Sequence, residues 1–177
     1  MIWESQYWKD PLLKSAKWLR RVRLTESTTE RTLVRIEKEL FTGFYSIRKL
    51  MDTAKISDAT KKKKIELQSF PCSAKVDYFN WHHIDKLYDL DSATSVLKDL
   101  YFVCNLFVHS YVFVVNGDGK MEGVYITTDR YKDKKLYFVS TDRIVKLFRL
   151  VGRDYPSTSR AIRDSQTGDW IIRTDNL

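Results

Sequence analysis

Between Leu100 and Val115 the chain reads LYFVCNLFVHSYVFVV, an apolar run interrupted only by Asn105, His109 and Ser110. Nearly continuous apolarity of that length predicts an element buried on all sides. Asp91 or Ser92 offers a helix start ahead of Ala93, Val96, Leu97 and Leu100, so the expected element is a buried central helix that begins there. On such a helix Asn105 and His109, four residues apart, share one face. Each must find a hydrogen bond inside the core or cost about 1–3 kcal/mol. A spanning helix needs about 20 apolar residues, so this run predicts no membrane segment.

The flanking patterns predict the fold class. Asp10-Pro11 reads as a helix start, followed by Leu12, Leu13, Ala16, Leu19 and Val22 on one side. A long amphipathic helix is expected over 29–55, where Leu33, Ile36, Leu40, Phe44, Ile47, Met51 and Ala54 recur at spacings of three and four. Gly43 inside it suggests a close helix crossing. Ile65 to Phe70 reads as a short strand, and Asn80 as the cap of a short helix. Beyond the central helix the period becomes two. Tyr111 to Val115, Gly123 to Thr128 and Lys135 to Val139 predict a three-stranded antiparallel meander. Thr141 is expected to cap a helix that Gly152 stops, and Gln166-Thr167-Gly168-Asp169 to turn a C-terminal hairpin. Helices followed by strands predict an α+β domain spanning 1–177: a basic N-terminal helix (1–24), a helical core (25–110), then meander, helix and tail (111–177).

Charge is unevenly placed. Residues 1–64 hold 16 Lys/Arg against 8 Asp/Glu, while residues 65–177 are balanced at 15 of each. The basic third fits a polyanionic partner, RNA or an acidic protein. Its candidate contacts are Arg20, Arg21 and Arg23 with Trp18 beside them, and the run Lys61, Lys62, Lys63 and Lys64. Trp18 reads either as a base-stacking residue or as a core anchor, the anchor being favoured because aromatic side chains dominate burial. Two cysteines, Cys72 and Cys104, make no disulfide framework, and Met1 to Asp10 lacks a basic region and an apolar run. The expectation is a cytoplasmic protein. His82, His83 and Asp85 lie close in sequence but lack metal-ligand spacing, so no metal and no cofactor is expected.

The six glycines form neither a nucleotide-cradling loop nor a dinucleotide fingerprint, and no nucleophile elbow or HExxH occurs. Asn105-Leu106-Phe107-Val108-His109, with the long helix ending FYSIRKLMDTAKISD before it, resembles the HEPN superfamily (higher eukaryotes and prokaryotes nucleotide-binding domains). The resemblance covers about 29–110. It implies a helical, often dimeric domain in which His109 and Asn105 take part in metal-independent RNA cleavage. Cys104 stands where that family carries its arginine, and a thiol supplies no positive charge to steady a phosphate. The expected function is therefore a non-catalytic binding module that uses its basic third on RNA or an acidic partner. Two alternatives are carried. One is a ribonuclease in which His109 acts with a remote arginine such as Arg48. The other is a small-molecule or protein-interaction module whose pocket lies between helices and meander, lined by Tyr111, Phe113, Tyr125 and Tyr137. A homodimer is also an expectation, since the long helical stripe offers a face.

Overall fold

The computed structural model describes residues 2–176. Its main sheet has five antiparallel strands in the order β2-β1-β5-β4-β3: β1 (Lys64–Pro71), β2 (Thr94–Asp99), β3 (Ser110–Asn116), β4 (Gly123–Thr128) and β5 (Lys135–Ser140). Helices α1 (Gln6–Leu19), α2 (Glu30–Asp52), α5 (Leu100–Val108) and α6 (Thr141–Arg153) bury one face of that sheet. The other face is covered by the segment around α4 (Ile84–Leu87), through Val76, Leu87 and Tyr88. The single-turn helix α3 (Asp58–Lys61) meets a separate hairpin, β6 (Thr158–Arg163) and β7 (Trp170–Asp175). The architecture is α+β, and among the described residues no helix is long and apolar enough to cross a membrane.

The expected meander is present as β3, β4 and β5. It is the larger part of a sheet that the sequence divides: β1 joins it by pairing Gln68 with Phe138 and Phe70 with Leu136. The stretch read as a helical core, 25–110, therefore holds two strands. Thr94–Asp99, expected as the first turns of the buried helix, is β2, paired residue for residue with β1 from Lys64↔Asp99 to Ser69↔Thr94. Its β-branched Thr94 and Val96 suit a pleated edge better than a helix. The helix starts at Leu100 instead, where the Asp99 carboxylate accepts the Phe102 N–H at 2.7 Å.

Four other boundaries moved. Helix α1 begins at Gln6 and contains Pro11, rather than starting there. The buried Lys9 explains the early start: its ammonium donates to the carbonyls of Lys55 (2.8 Å) and Asp154, and it lies 3.9 Å from the centre of the Tyr155 ring. Helix α6 is capped by Ser140, whose hydroxyl accepts the Arg143 N–H at 3.3 Å, so Thr141 is its first residue. Gly152 lies inside α6, buried against Leu13 of α1, where a Cβ would come within 2.7 Å of the leucine Cδ2. Asn80 caps no helix; its side-chain oxygen accepts the Asp77 N–H at 2.8 Å in a turn, and His83 precedes α4.

Helices α1 and α6 run antiparallel. Lys9 meets Asp154 beyond the end of α6, Leu13 meets Gly152, and Arg20 shares a cavity with Val145 and Lys146 from its first half.

Candidate functional site

Two cavities gather the residues that could carry function. The first lies along the α1–α6 pair. Helix spacing brings Leu13, Lys17, Arg20 and Arg21 from α1 and its exit opposite Arg149 and Arg153 of α6, enclosing about 510 Å³. Among the described residues none of these five cations forms an ion pair with a carboxylate. Like charges facing each other across a helix pair repel, and an anion between them removes the repulsion. Next to it, Arg20 and Arg149 also border a cavity of about 540 Å³ that includes Lys120, Lys146 and Thr141. The Thr141 hydroxyl oxygen there is buried with no hydrogen-bond partner among the described residues.

Of the basic residues nominated from sequence, Arg20 and Arg21 line this groove and Arg23 is exposed outside it. Trp18 is half-buried against the core, with the Arg35 guanidinium 4.1 Å above its ring, which places it with the anchors. Lys61 to Lys64 span the end of α3, a two-residue connector and the start of β1. Lys61 ends α3, bonded to Asp58 (3.0 Å) and Thr174 (3.4 Å), Lys62 and Lys63 are exposed, and Lys64 opens β1. Sequence reading missed Arg149 and Arg153, because the C-terminal part balances in charge. Their signal was the stripe Arg143, Lys146, Arg149, Arg153 at spacings of three and four along one helix.

The second cavity, about 420 Å³, opens where α5 ends against the β4–β5 turn, and Phe102, Asn105, Leu106, His109 and Thr128–Tyr131 line it. Asn105 and His109 thus share a site. Asn105 is half-buried, its side-chain oxygen accepting the Arg48 Nη1–H at 2.5 Å. Arg48 also donates to the Tyr101 hydroxyl and to Asp52 at 3.2 Å, and its guanidinium lies 3.5 Å from the Tyr101 ring centre. Its three nitrogens are each engaged in holding α2 to α5 or in pairing along α2. His109 is exposed at the end of α5, its backbone N–H donating to the Asn105 carbonyl at 3.0 Å. Burial pushes the neighbouring Cys104 thiol up to about 12, the Arg48 charge offsetting only part of that, so it stays an uncharged thiol.

The four aromatic residues proposed to line one pocket are divided by the sheet. Phe113 and Tyr137 face the helices, packed on Phe41 (4.9 Å) and Phe102 (5.3 Å). Tyr111 and Tyr125 face the opposite layer, Tyr125 against Phe70 (5.7 Å) and Phe138 (4.9 Å). Strand period two separates Tyr125 from Tyr137's layer, and a register shift between Ser110 and Val112 turns Tyr111 outward. His82 and His83 lie with ring centres 4.0 Å apart, and among the described residues no group of three or more His, Cys, Asp or Glu is placed to hold a metal ion. Cys72 and Cys104 are both free thiols. No family model, no curated protein and no solved structure matches this chain at a significant level.

Proposed function

We propose that the protein is a non-catalytic binding module whose α1–α6 groove takes the phosphates of RNA. The observation that supports this reading is the convergence of Lys17, Arg20, Arg21, Arg149 and Arg153 on one cavity without a carboxylate partner among the described residues. Arginine suits the role because its planar fork meets phosphate oxygens two at a time and stays charged at any physiological pH. The groove lies outside the stretch that resembles the HEPN superfamily, so the reading does not depend on that resemblance.

The test is fluorescence anisotropy of a labelled RNA oligonucleotide with the full chain over a salt series. Binding is expected to weaken linearly in log–log form as salt rises. The double variant Arg20→Ala/Arg149→Ala should bind more weakly, with a salt slope shallower by about two. RNA that stays unbound at low salt, or binds the double variant equally well, would overturn the proposal. An acidic peptide that binds where RNA does not would move the groove to a protein partner.

A further inference from the structure

The hairpin β6–β7 stands apart from both cavities and from the five-stranded sheet. Every residue of β6 is exposed, as are the apolar Trp170 (64%), Ile171 and Ile172 of β7. The Thr174 hydroxyl and the Arg173–Asp58 pair (3.6 Å) tie the hairpin to the body through β7. Strand β6 pairs with β7 alone among the described residues, so its outer edge keeps a row of free backbone N–H and C=O groups. Two strands are marginal by themselves, and a third strand with an apolar face stabilises them.

The side chains at that edge define what fits it. Register places Arg160 directly opposite Arg173 and Ile162 opposite Ile171 on one face; Ala161 lies opposite Ile172 and Arg163 opposite Trp170 on the other. Like charges opposite one another destabilise a sheet. Arg173 has Asp58, whereas Arg160 and Arg163 form no ion pair among the described residues. Strand β6 thus presents Arg-Ala-Ile-Arg, cationic at both ends and apolar between, at an open edge. Antiparallel pairing of this stretch with a second copy of itself would set arginine against arginine at both ends, which opposes self-association there.

We infer that the β6 edge takes an extended segment of another protein as a third strand, with the pattern acidic–apolar–apolar–acidic. Its carboxylates meet Arg160 and Arg163, its apolar side chains lie beside Ala161 and Ile162, and the backbone ladder supplies affinity. The pattern reads the same in both directions, so it fits in either strand sense. The inference is independent of the RNA reading, since it draws on no residue of the α1–α6 groove.

The experiment is an amide-resolved NMR titration of the full chain with the capped synthetic peptide Thr-Glu-Val-Ile-Glu-Thr and, separately, with Thr-Lys-Val-Ile-Lys-Thr. The acidic peptide is expected to shift the amides of Thr158–Arg163 and slow their hydrogen exchange, while the basic peptide leaves them unchanged. Both arginines are exposed, and a glutamate opposite Arg173 relieves the like-charge pair, so Arg160→Glu/Arg163→Glu should fold. It should bind the acidic peptide about tenfold more weakly and accept the basic one instead. Amides of β6 that ignore the acidic peptide, that respond equally to both peptides, or that keep their preference in the double variant would overturn the inference. Shifts confined to Lys17, Arg20 and Arg149 would also overturn it, assigning the carboxylates to the groove. An RNA oligonucleotide that displaces the acidic peptide from the β6 amides would overturn it too, assigning the arginines to phosphate.

Discussion

Asp154 joins segments that are far apart in sequence. Its carboxylate accepts the Ser57 N–H (2.9 Å) and hydroxyl (2.8 Å) and the Asn176 amide (2.9 Å), while its carbonyl receives the buried Lys9 ammonium. Burial by itself would push this carboxyl up; hydrogen bonds from Thr60, Asn176 and Ser57 outweigh it and hold the group below the ordinary aspartate value. A carboxyl depressed in the folded state stabilises the fold fully above its unfolded value, about 3.9, and loses that contribution as pH falls through the lower folded value. Acid melts are therefore expected to show a stability loss setting in below about pH 4 that is smaller in Asp154→Asn. That variant should already be less stable at neutral pH by about 1–3 kcal/mol, since its amide presents donors to donors. Denaturant melts at the two pH values would check both parts. Arg48 makes a comparable junction, and Arg48→Ala should destabilise the chain by about 1–3 kcal/mol through the unpaired Asn105 oxygen, measured by the same melts.

Among the elements, the α2–α6 contact is set by Gly43. A Cβ there would come within 2.3 Å of the Phe148 ring, which also packs edge-on against Phe44 at 5.2 Å. Gly43→Ala gains about 1 kcal/mol of helix propensity but overpacks the crossing, so a net loss of about 1–3 kcal/mol is expected in a thermal melt. The close crossing was legible in the sequence because a lone glycine in an otherwise strong helix needs a reason. The stripe of α2 was legible for a similar reason: Ile36, Leu40, Phe44 and Ile47 repeat locally, and all are fully buried. What escaped reading was non-local. Nothing near Thr94 announces that Gln68 and Ser69 will lie beside it, and nothing near Arg149 announces Arg20. The C-terminal hairpin was legible from its turn, but its attachment was not. Both strands are largely exposed, and Thr174 is the buried residue that fastens them, its hydroxyl donating to the Ile56 carbonyl at 2.7 Å. A two-stranded hairpin is marginal alone. Thr174→Val should therefore speed hydrogen exchange across Thr158–Asp175 while the five-stranded sheet keeps its protection.

At the scale of the whole molecule, the α1–α6 pair places repulsion within the fold itself. Arg149→Ala should raise the thermal midpoint at low ionic strength, and the gain should shrink as salt screens the groove, since the screening length falls from about 30 Å at 0.01 M to about 3 Å at 1 M. Differential scanning calorimetry at matched pH would show it. The same pair also bears on synthesis. Chains emerge N-terminus first, and domains generally fold as units. Strand β1 cannot meet β5 until residue 140 has appeared, and Leu12, Ala16 and Leu19 of α1 wait still longer for their antiparallel neighbour, α6. A chain that has reached Ser140 therefore holds every strand of the main sheet while the apolar face of α1 still lacks α6. Premature termination before α6 would leave fragments suited to chaperone capture or proteolysis rather than a smaller working protein.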